Sequence, residues 1–246
     1  MIESQFSYKN YRKILLKFKE CFYDFSDVSD QSSFVLLRHD VEFSTQRALQ
    51  IAKIEYLEGV KSSFLFQVRS NAYNVLSIFN REIIKQILEF GHKVGLHFYV
   101  SHIKKNDWNK LELELYKQKE ILEFAIGIKI DRFSFHRPPE WVLKRRDDLI
   151  CNMINMYGES FFEFSPEPKT IKYIADSKHQ FKYGDPQENI KFNKIQLLLH
   201  PDEWSDSGLD AFDNFRSLED EHLYEFFKTI NNETKIYKNN LPDSFA

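Results

Sequence analysis

The chain has 246 residues, of which 42% are hydrophobic, so it can bury the core of one α/β domain or of two small domains. Its formal net charge of -3 argues against a nucleic-acid partner. No apolar segment approaches the ~18 residues that a membrane-spanning helix needs. The N-terminus, MIESQFSYKNYRKILLKF, has no secretion signal, and the two cysteines form no C-x-x-C pair, so we expect a cytoplasmic protein.

The first thirty or so residues carry an apolar stripe at helical spacing. The stripe consists of Tyr8, Tyr11, Ile14, Leu15 and Phe18. It predicts that residues 1–30 form a helical extension that packs on the main body of the protein and supplies no catalytic residue. Because the chain has no internal repeat, low-complexity tract or long linker, we expect a single domain over residues 1–246.

Strand-like and helix-like segments alternate along the rest of the chain. Apolar runs predict strands over residues 34–41, 62–68, 93–98, 130–136, 170–175 and 195–200. Helices are predicted from a Ser44 cap to Gly59, from an Asn80 cap to near Gly91, from Asn106 or Asp107 onward, and over residues 218–230. This alternation implies a mostly parallel sheet, and the number of strands favours a closed or nearly closed barrel. No G-x-G-x-x-G follows a strand, which argues against an open dinucleotide-binding sheet.

Four of the predicted strands end in side chains that can do chemistry. These side chains are Asp40 with Glu42, His97, His136 with Arg137, and His200. In α/β barrels the catalytic residues collect at the C-terminal ends of the strands. Four such ends together predict one active site, although each residue alone has an ordinary structural explanation.

Asp40 and Glu42 lie two residues apart on a strand, so their carboxylates face the same side. Two like charges this close repel each other unless a cation lies between them, and a bound metal would supply that cation. The alternative is a surface salt-bridge pair at the end of the strand. His97 and, five residues later, His102 could add imidazole ligands. The alternatives are a hydrogen-bonded core histidine for His97 and a solvated one for His102.

Two further residues complete the candidate site. Arg137 could hold a carboxylate through two hydrogen bonds and keep it ionised, the alternative being a structural ion pair. His200 follows the most apolar strand and could protonate a leaving group, the alternative being an ordinary strand-end histidine. The histidines without such placement are expected to be structural or exposed; they are His92, His179 and His222.

These motifs, in this order over residues 34–204, resemble the polysaccharide deacetylase family, also called carbohydrate esterase family 4 or the NodB-homology domain. The segments that carry the resemblance are Asp40-Val41-Glu42 for an Asp-x-Asp motif, His97 to His102 for His-x-x-x-His, Arg137-Pro138-Pro139 for Arg-x-Pro, Asp176-Ser177, and Leu199-His200. The strings Arg-His-Asp-Val-Glu and Leu-Leu-His-Pro look closer still to a branch found in surface-polysaccharide and O-antigen biosynthesis.

The resemblance implies an α/β fold, a distorted and incomplete (β/α)7-type barrel in a single domain. It also implies a metal-dependent hydrolase that removes an acetyl or formyl group from an amino sugar, on a nucleotide- or lipid-linked precursor. Two other functions stay open. One is a metal amidohydrolase acting on a small non-sugar amide, and the other is a sugar-binding relative that has lost catalysis.

In the function that the resemblance implies, a divalent metal, expected to be zinc, is held by Glu42, His97 and His102. Glu42 is one methylene longer than the family's aspartate, and the His97 to His102 spacing is five rather than four. The alternatives for the third ligand are His136, His39 and Asp40 itself.

The resemblance also assigns the catalytic roles. Asp40 would take a proton from the attacking water, and Arg137 would orient Asp40 and keep it ionised. His200 would protonate the departing amine.

Overall fold

In the computed structural model, residues 4–163, 170–188 and 192–234 are described. Their strands are β1 Phe22–Tyr23, β2 Phe34–Val41, β3 Ser63–Phe66, β4 Lys93–Tyr99, β5 Arg132–His136, β6 Leu149–Ile150, β7 Met153–Asn155, β8 Ile171–Ala175 and β9 Lys194–Leu199. Their α-helices are α1 Tyr8–Phe18, α2 Thr45–Glu58, α3 Ile78–Glu89, α4 Trp108–Ile126, α5 Glu140–Leu143 and α6 Ala211–Glu233. A 3₁₀ turn, Pro201–Glu203, follows β9.

The strands form one sheet in the order β6-β7-β5-β4-β3-β2-β9-β8, and β1 pairs with the first residues of β2. Every neighbouring pair is parallel except β6 with β7. Across the described ranges the outer strands β6 and β8 do not pair with each other, so the curled sheet remains open. The predicted α/β class and the incomplete barrel in a single domain are therefore confirmed.

The strand register brings the C-terminal ends of the central strands to one edge of the sheet. His97 of β4 lies opposite Ser134 of β5, and Leu199 at the end of β9 lies opposite His39 of β2. Because these strands are parallel, the residues that follow them, including His200, emerge on the same edge. This edge is where the candidate site lies.

Every residue of β2 is buried, but its side chains alternate between two surroundings. Arg38 and Asp40 point to the side that also carries Glu42, which we call the pocket face of β2. His39 points to the opposite side, where it contacts Glu55 of α2, and we call this the helix face. The alternation separates neighbouring polar residues that the sequence presents as one run.

Capping residues set where the helices begin and end, and the observed starts of α3 and α6 differ from the predicted ones. α2 begins after Ser44, whose side chain accepts from the backbone N–H of Arg47, and it ends at Gly59, as predicted. α3 is capped by Ser77 rather than by Asn80, because the Ser77 side chain accepts from the backbone N–H of Asn80 in the first turn.

α6 begins seven residues earlier than its predicted start at residue 218, because the Asp210 side chain accepts from the backbone N–H of Asp213. The added turns carry exposed phenylalanines and show no buried stripe, so the sequence pattern gave no sign of them.

Of the two cysteines, Cys21 is exposed and Cys151 is half-buried, and both are free.

α1 contacts α2, and its Tyr11, Ile14 and Leu15 are fully buried. The segment that follows is fixed to the sheet by Asp24, whose carboxylate accepts from Arg132 Nη1 at 2.6 Å. None of the helices within the described ranges combines the length and the hydropathy that a membrane crossing requires.

Candidate metal centre and pocket

Three side chains from three strand ends converge at the sheet edge. His136 Nδ1 lies 2.7 Å from Glu42 Oε1, His97 Nε2 lies 3.3 Å from the same oxygen, and the two nitrogens are 3.1 Å apart. Both histidines are buried, and Glu42 is only partly exposed. These three atoms form the one group within the described residues whose donors are close enough together to hold a metal ion.

The hydrogen bonds behind His97 set its tautomer. Ser134 Oγ donates to Asp40 Oδ1 at 2.9 Å, because an ionised carboxylate can only accept. The Ser134 oxygen therefore accepts from His97 Nδ1, 2.7 Å away, and the ring proton lies on Nδ1. His97 Nε2 then presents a lone pair to Glu42 and His136, which is the form in which histidine binds a metal.

The donor set fits a transition metal better than a hard cation such as Mg²⁺. Two imidazole nitrogens with one carboxylate oxygen are ligands that zinc accepts, and three protein ligands leave a position open, as in catalytic sites. Ligands about 2.1 Å from a tetrahedral ion lie about 3.4 Å apart. The observed separations of 2.7–3.3 Å come close to that value. A carboxylate oxygen and two imidazole nitrogens this close require a cation or a shared proton between them.

The structure does not bring His102 to this cluster. It lies on a partly exposed turn after β4, with Nε2 2.9 Å from Arg69 Nη1 and 4.0 Å from a Glu114 oxygen. The chain turns away from the sheet edge between Val100 and Ile103, so the extra residue in the spacing is taken up outside the pocket. The third position next to Glu42 and His97 is occupied by His136, one of the alternatives that the sequence left open.

Asp40 is buried beside the cluster, and its arginine partner is Arg38. Arg38 Nη2 lies 3.5 Å from Asp40 Oδ2 and donates to the Tyr157 hydroxyl at 2.8 Å, with the guanidinium 4.6 Å from the Tyr157 ring centre. Burial alone would raise the pKa of Asp40. The charge of Arg38, with that of His200 and the Ser134 hydrogen bond, outweighs burial and holds this pKa below its usual value.

Arg137, the predicted partner of Asp40, lies instead at the mouth of the pocket, where its side chain is exposed. Its backbone φ of 47° lies in the left-handed region and ends β5 at His136. The side chain makes no hydrogen bond or ion pair with any described residue. Arg38 could have been inferred from the sequence, because it lies two residues before Asp40 and therefore shares its face of the strand.

His200 is buried on the other side of Glu42, with its Nε2 3.8 Å from Glu42 Oε1. Its Nδ1 donates to Asp176 Oδ1 at 2.7 Å, and Asp176 also accepts from Trp204 Nε1 at 2.8 Å. Burial alone would lower the pKa of His200, but the adjacent Asp176 carboxylate, with the more distant Glu42 and Asp40, raises it to about 10. Asp176, which belongs to one of the segments that carry the family resemblance, thus orients His200 and keeps it charged.

A cavity of about 1220 Å³ opens over these residues. Its aromatic lining comprises Phe43, Phe135, Tyr157, Phe162, Tyr173, Tyr183 and Phe215. Three cations lie at its rim, and they are Arg137, Lys178 and Lys182. Ligand pockets usually measure about 300–1,000 Å³, so this cavity has room for more than a single sugar ring.

Asp202 also lines the cavity, and the sequence pattern did not single it out. It is 2% exposed, and burial together with the nearby Glu42 charge raises its pKa to about 7 despite the opposing charge of His200. The signal available in the sequence was its position, two residues beyond His200 in the turn that follows β9.

No family model matches the chain, and no curated protein matches it. Solved structures do match. A CE4 family pseudoenzyme from Bacillus anthracis gives a TM-score of 0.46 and 19% identity, covering 76% of this chain and 60% of that one, so this chain spans less than two thirds of its length. A family 4 carbohydrate esterase from Streptomyces lividans in complex with acetate matches with a TM-score of 0.46 and 13% sequence identity. The match covers 78% of this chain and 90% of the esterase. A family 4 acetyl xylan esterase from Clostridium thermocellum in complex with a cobalt ion matches with a TM-score of 0.44 and 14% sequence identity. The match covers 79% of this chain and 90% of that esterase.

Proposed function

We propose that this protein is a metal-dependent hydrolase that removes an acetyl or formyl group from the nitrogen of an amino sugar. The observation that carries the proposal is the arrangement around Glu42. Two histidines converge on it as candidate metal ligands, a second buried carboxylate lies beside them, and a positively charged histidine lies on its other side. Amide hydrolysis needs these three elements: an electrophile, a base and an acid.

Glu42, His97 and His136 would hold the metal, and their donor set favours zinc. When bound, such a metal polarises a carbonyl oxygen and lowers the pKa of water from about 15.7 toward ~7. Ser134 supports the site from behind, because it fixes the His97 ring in the tautomer that presents its lone pair. His136 takes the place that the sequence motif gave to His102.

Asp40 would act as the general base. Arg38 and Ser134 keep its carboxylate ionised and fix both of its oxygens within the pocket. Asp40 takes a proton from the water that attacks the acyl carbon, and a new C–O bond forms. Because Arg38 is buried and Arg137 is not, Arg38 is the arginine that keeps this base charged.

His200 would act as the general acid. Its Nδ1–H is held by Asp176, so the opposite nitrogen, Nε2, is the one that faces the pocket. A proton from Nε2 passes to the amide nitrogen as the C–N bond breaks, which releases a free amine and a carboxylic acid. An amine leaves poorly without this proton, so the raised pKa of His200 suits its role.

The shape of the pocket supports a sugar substrate that carries a phosphate. Aromatic walls stack against the apolar faces of sugar rings. The rim cations Arg137, Lys178 and Lys182 make no hydrogen bond or ion pair with a described side chain and are therefore available to an anion, whereas the rim acid Glu140 is paired with Lys144 at 3.2 Å. We infer a nucleotide- or lipid-linked precursor in cytoplasmic polysaccharide biosynthesis, as in the branch that the sequence resembles.

The test is hydrolysis by the purified, zinc-loaded protein. The substrates are N-acetylglucosamine, UDP-N-acetylglucosamine, their N-formyl counterparts and a small non-sugar amide such as acetanilide, with release of acetate or formate as the measurement. The proposal predicts release from at least one N-acyl sugar, faster when it is nucleotide-linked. Release from acetanilide alone would favour the non-sugar amidohydrolase, and zinc binding without any release would favour a non-catalytic relative.

A further inference from the structure

The 3₁₀ turn Pro201–Glu203 carries a carboxylate that lines the pocket, Asp202, and one of its two oxygens has no hydrogen-bond partner. Among the described residues, Asp202 Oδ1 is the only buried carboxylate oxygen that has no hydrogen bond. A buried polar group left unpaired destabilises the folded protein, and a charged group does so more strongly. Its neighbour Glu203, by contrast, accepts from His179 Nδ1 at 3.0 Å. The unpaired Asp202 Oδ1 therefore indicates a position where a ligand donates a hydrogen bond.

Hydrogen bonds to its backbone hold Asp202 at its position in the turn. Its carbonyl oxygen accepts from Arg47 Nη1 at 3.0 Å and from Asn214 Nδ2 at 2.7 Å. Arg47 belongs to α2 and is itself bound to Glu221 of α6 at 2.7 Å. Two helices therefore brace the turn from behind and hold Asp202 against the pocket.

The position of Asp202 indicates which part of a substrate it meets. It lies in the turn directly after His200, and it does not belong to the group of Glu42, His97 and His136. In the function proposed above, His200 protonates the departing nitrogen, so the sugar that bears this nitrogen lies on the side of His200. The acyl group lies on the side of the metal ligands.

We propose that Asp202 is a substrate-binding residue that accepts a hydrogen bond from a hydroxyl or N–H group of the amino sugar, beside the bond that is cleaved. This inference rests on the proposed function. It adds a specificity determinant that lies outside the motifs of the sequence, and it predicts that a substrate lacking such a donor gains nothing from Asp202.

Two substrates separate this role from a structural one. The first is the N-acyl sugar that the zinc-loaded wild-type protein hydrolyses fastest, and the second is p-nitrophenyl acetate, which has no sugar hydroxyl and a leaving group that needs no proton. Asp202→Ala should lower kcat/KM for the sugar by about 10- to 100-fold, the scale of a hydrogen bond to a charged group. Hydrolysis of p-nitrophenyl acetate and zinc content should stay within about twofold of the wild type.

Asp202→Asn and Glu140→Gln complete the experiment. The asparagine keeps an acceptor oxygen of the same shape, so it should recover part of the activity on the sugar. Glu140→Gln removes a rim carboxylate that is already paired with Lys144, and it should change both rates by less than about twofold.

Equal losses on both substrates, or loss of zinc, would make Asp202 a structural or metal-site residue and overturn the inference. Unchanged hydrolysis of the sugar in Asp202→Ala would also overturn it, while leaving the proposed function intact. If the wild-type protein hydrolysed none of the N-acyl sugars, the proposed function would fail, and the role of Asp202 would fail with it.

Discussion

Two groups of histidines and carboxylates lie on opposite faces of β2, and they differ in how their protons are shared. The helix-side cluster consists of Tyr11, His39, Glu55, Ser62 and His92, and all five are at most 6% exposed. Glu55 accepts from His39 Nε2 at 2.7 Å, from Ser62 Oγ at 2.5 Å and from the Tyr11 hydroxyl. The Glu55 carboxylate therefore has a donor for each of its oxygens.

His92 completes the helix-side cluster as a neutral ring. Its Nε2 donates to the Ala52 carbonyl at 2.9 Å, and its Nδ1 accepts from the backbone N–H of Ser62 at 3.2 Å. Burial lowers the pKa of His92, which agrees with this neutral form. Both nitrogens are already used, so neither has a lone pair left for a ligand.

On the pocket face, hydrogen-bond acceptors outnumber the donors available to them. Glu42 Oε1, His97 Nε2 and His136 Nδ1 point toward one another, and the Nδ1 proton of His97 is directed away to Ser134. The pocket face thus has more acceptors than donors and opens into a cavity. In the helix-side cluster each Glu55 oxygen has a donor and both nitrogens of His92 are paired, so that only His39 Nδ1 lacks a partner. The two clusters contain the same kinds of residue. The number of proton donors relative to acceptors therefore distinguishes the ligand site from the structural network.

Replacing one histidine in each cluster should give the largest difference in effect between the two clusters. His97→Ala removes a candidate ligand, and we expect hydrolysis to fall by about 10³-fold, because a bound Lewis acid is worth several kcal/mol. His92→Ala should leave turnover by the folded protein near normal. It should instead lower the free energy of unfolding by about 1–3 kcal/mol, measured by urea denaturation, because it leaves buried backbone groups unpaired. Turnover that falls equally in both variants would contradict the distinction.

Asp40→Asn and His200→Ala should each lower kcat by about 10²-fold, the usual scale for a general base or acid. The pH profile follows from the signs of the two shifts. The pKa of Asp40 lies below its usual value, so activity is lost only as the pH falls through that lowered pKa. The pKa of His200 lies near 10, and a bound cation would lower it, so activity should fall on the alkaline side at or below about 10.

The measurement is kcat against pH for the wild type and for both variants. Asp40→Asn should lose the acid limb, and His200→Ala should lose the alkaline limb while keeping its metal. A profile unchanged in shape would remove that residue from the proton transfers.

A comparison of the buried Arg38 with the exposed Arg137 offers a smaller and sharper test. Arg38→Met leaves the Asp40 carboxylate buried without its cation, so the acid limb of kcat should move up by about one pH unit, worth about 1.4 kcal/mol. Arg137→Met should leave that limb in place and raise KM for a nucleotide-linked sugar by only a few-fold, because an exposed charge interacts weakly. A shift of the acid limb in Arg137→Met alone would restore the role that the sequence motif assigned to it.

Much of the fold was predictable from the sequence, because buried parallel strands appear as apolar runs and helices end at their caps. The predicted strands over residues 34–41 and 93–98 correspond to β2 and β4 within one residue. The short elements β1, β6, β7 and α5 were not predicted, since two to four residues carry no periodicity. The start of α6 was missed because its first turns have no buried stripe.

The site was predictable where a residue lies on a strand or continues its extended backbone, as His200 does, and not where the backbone turns first, as it does at Arg137. Glu42, His97 and His200 were placed by strand ends, and the structure brings all three to one pocket. His102 was placed by its spacing from His97, and a turn directs it elsewhere. Arg137 was placed by the end of a predicted strand, but its left-handed backbone directs its side chain to the mouth of the pocket. Spacing along a loop does not fix the direction of a side chain, whereas alternation along a strand does.

The most direct test of the account is the zinc content of three purified proteins: the wild type, His136→Ala and His102→Ala. Each is dialysed against a chelator, reloaded with one equivalent of zinc and measured by elemental analysis. The account predicts about one zinc per chain in the wild type and in His102→Ala, and little or none in His136→Ala. Retention of zinc by His136→Ala together with its loss from His102→Ala would contradict it.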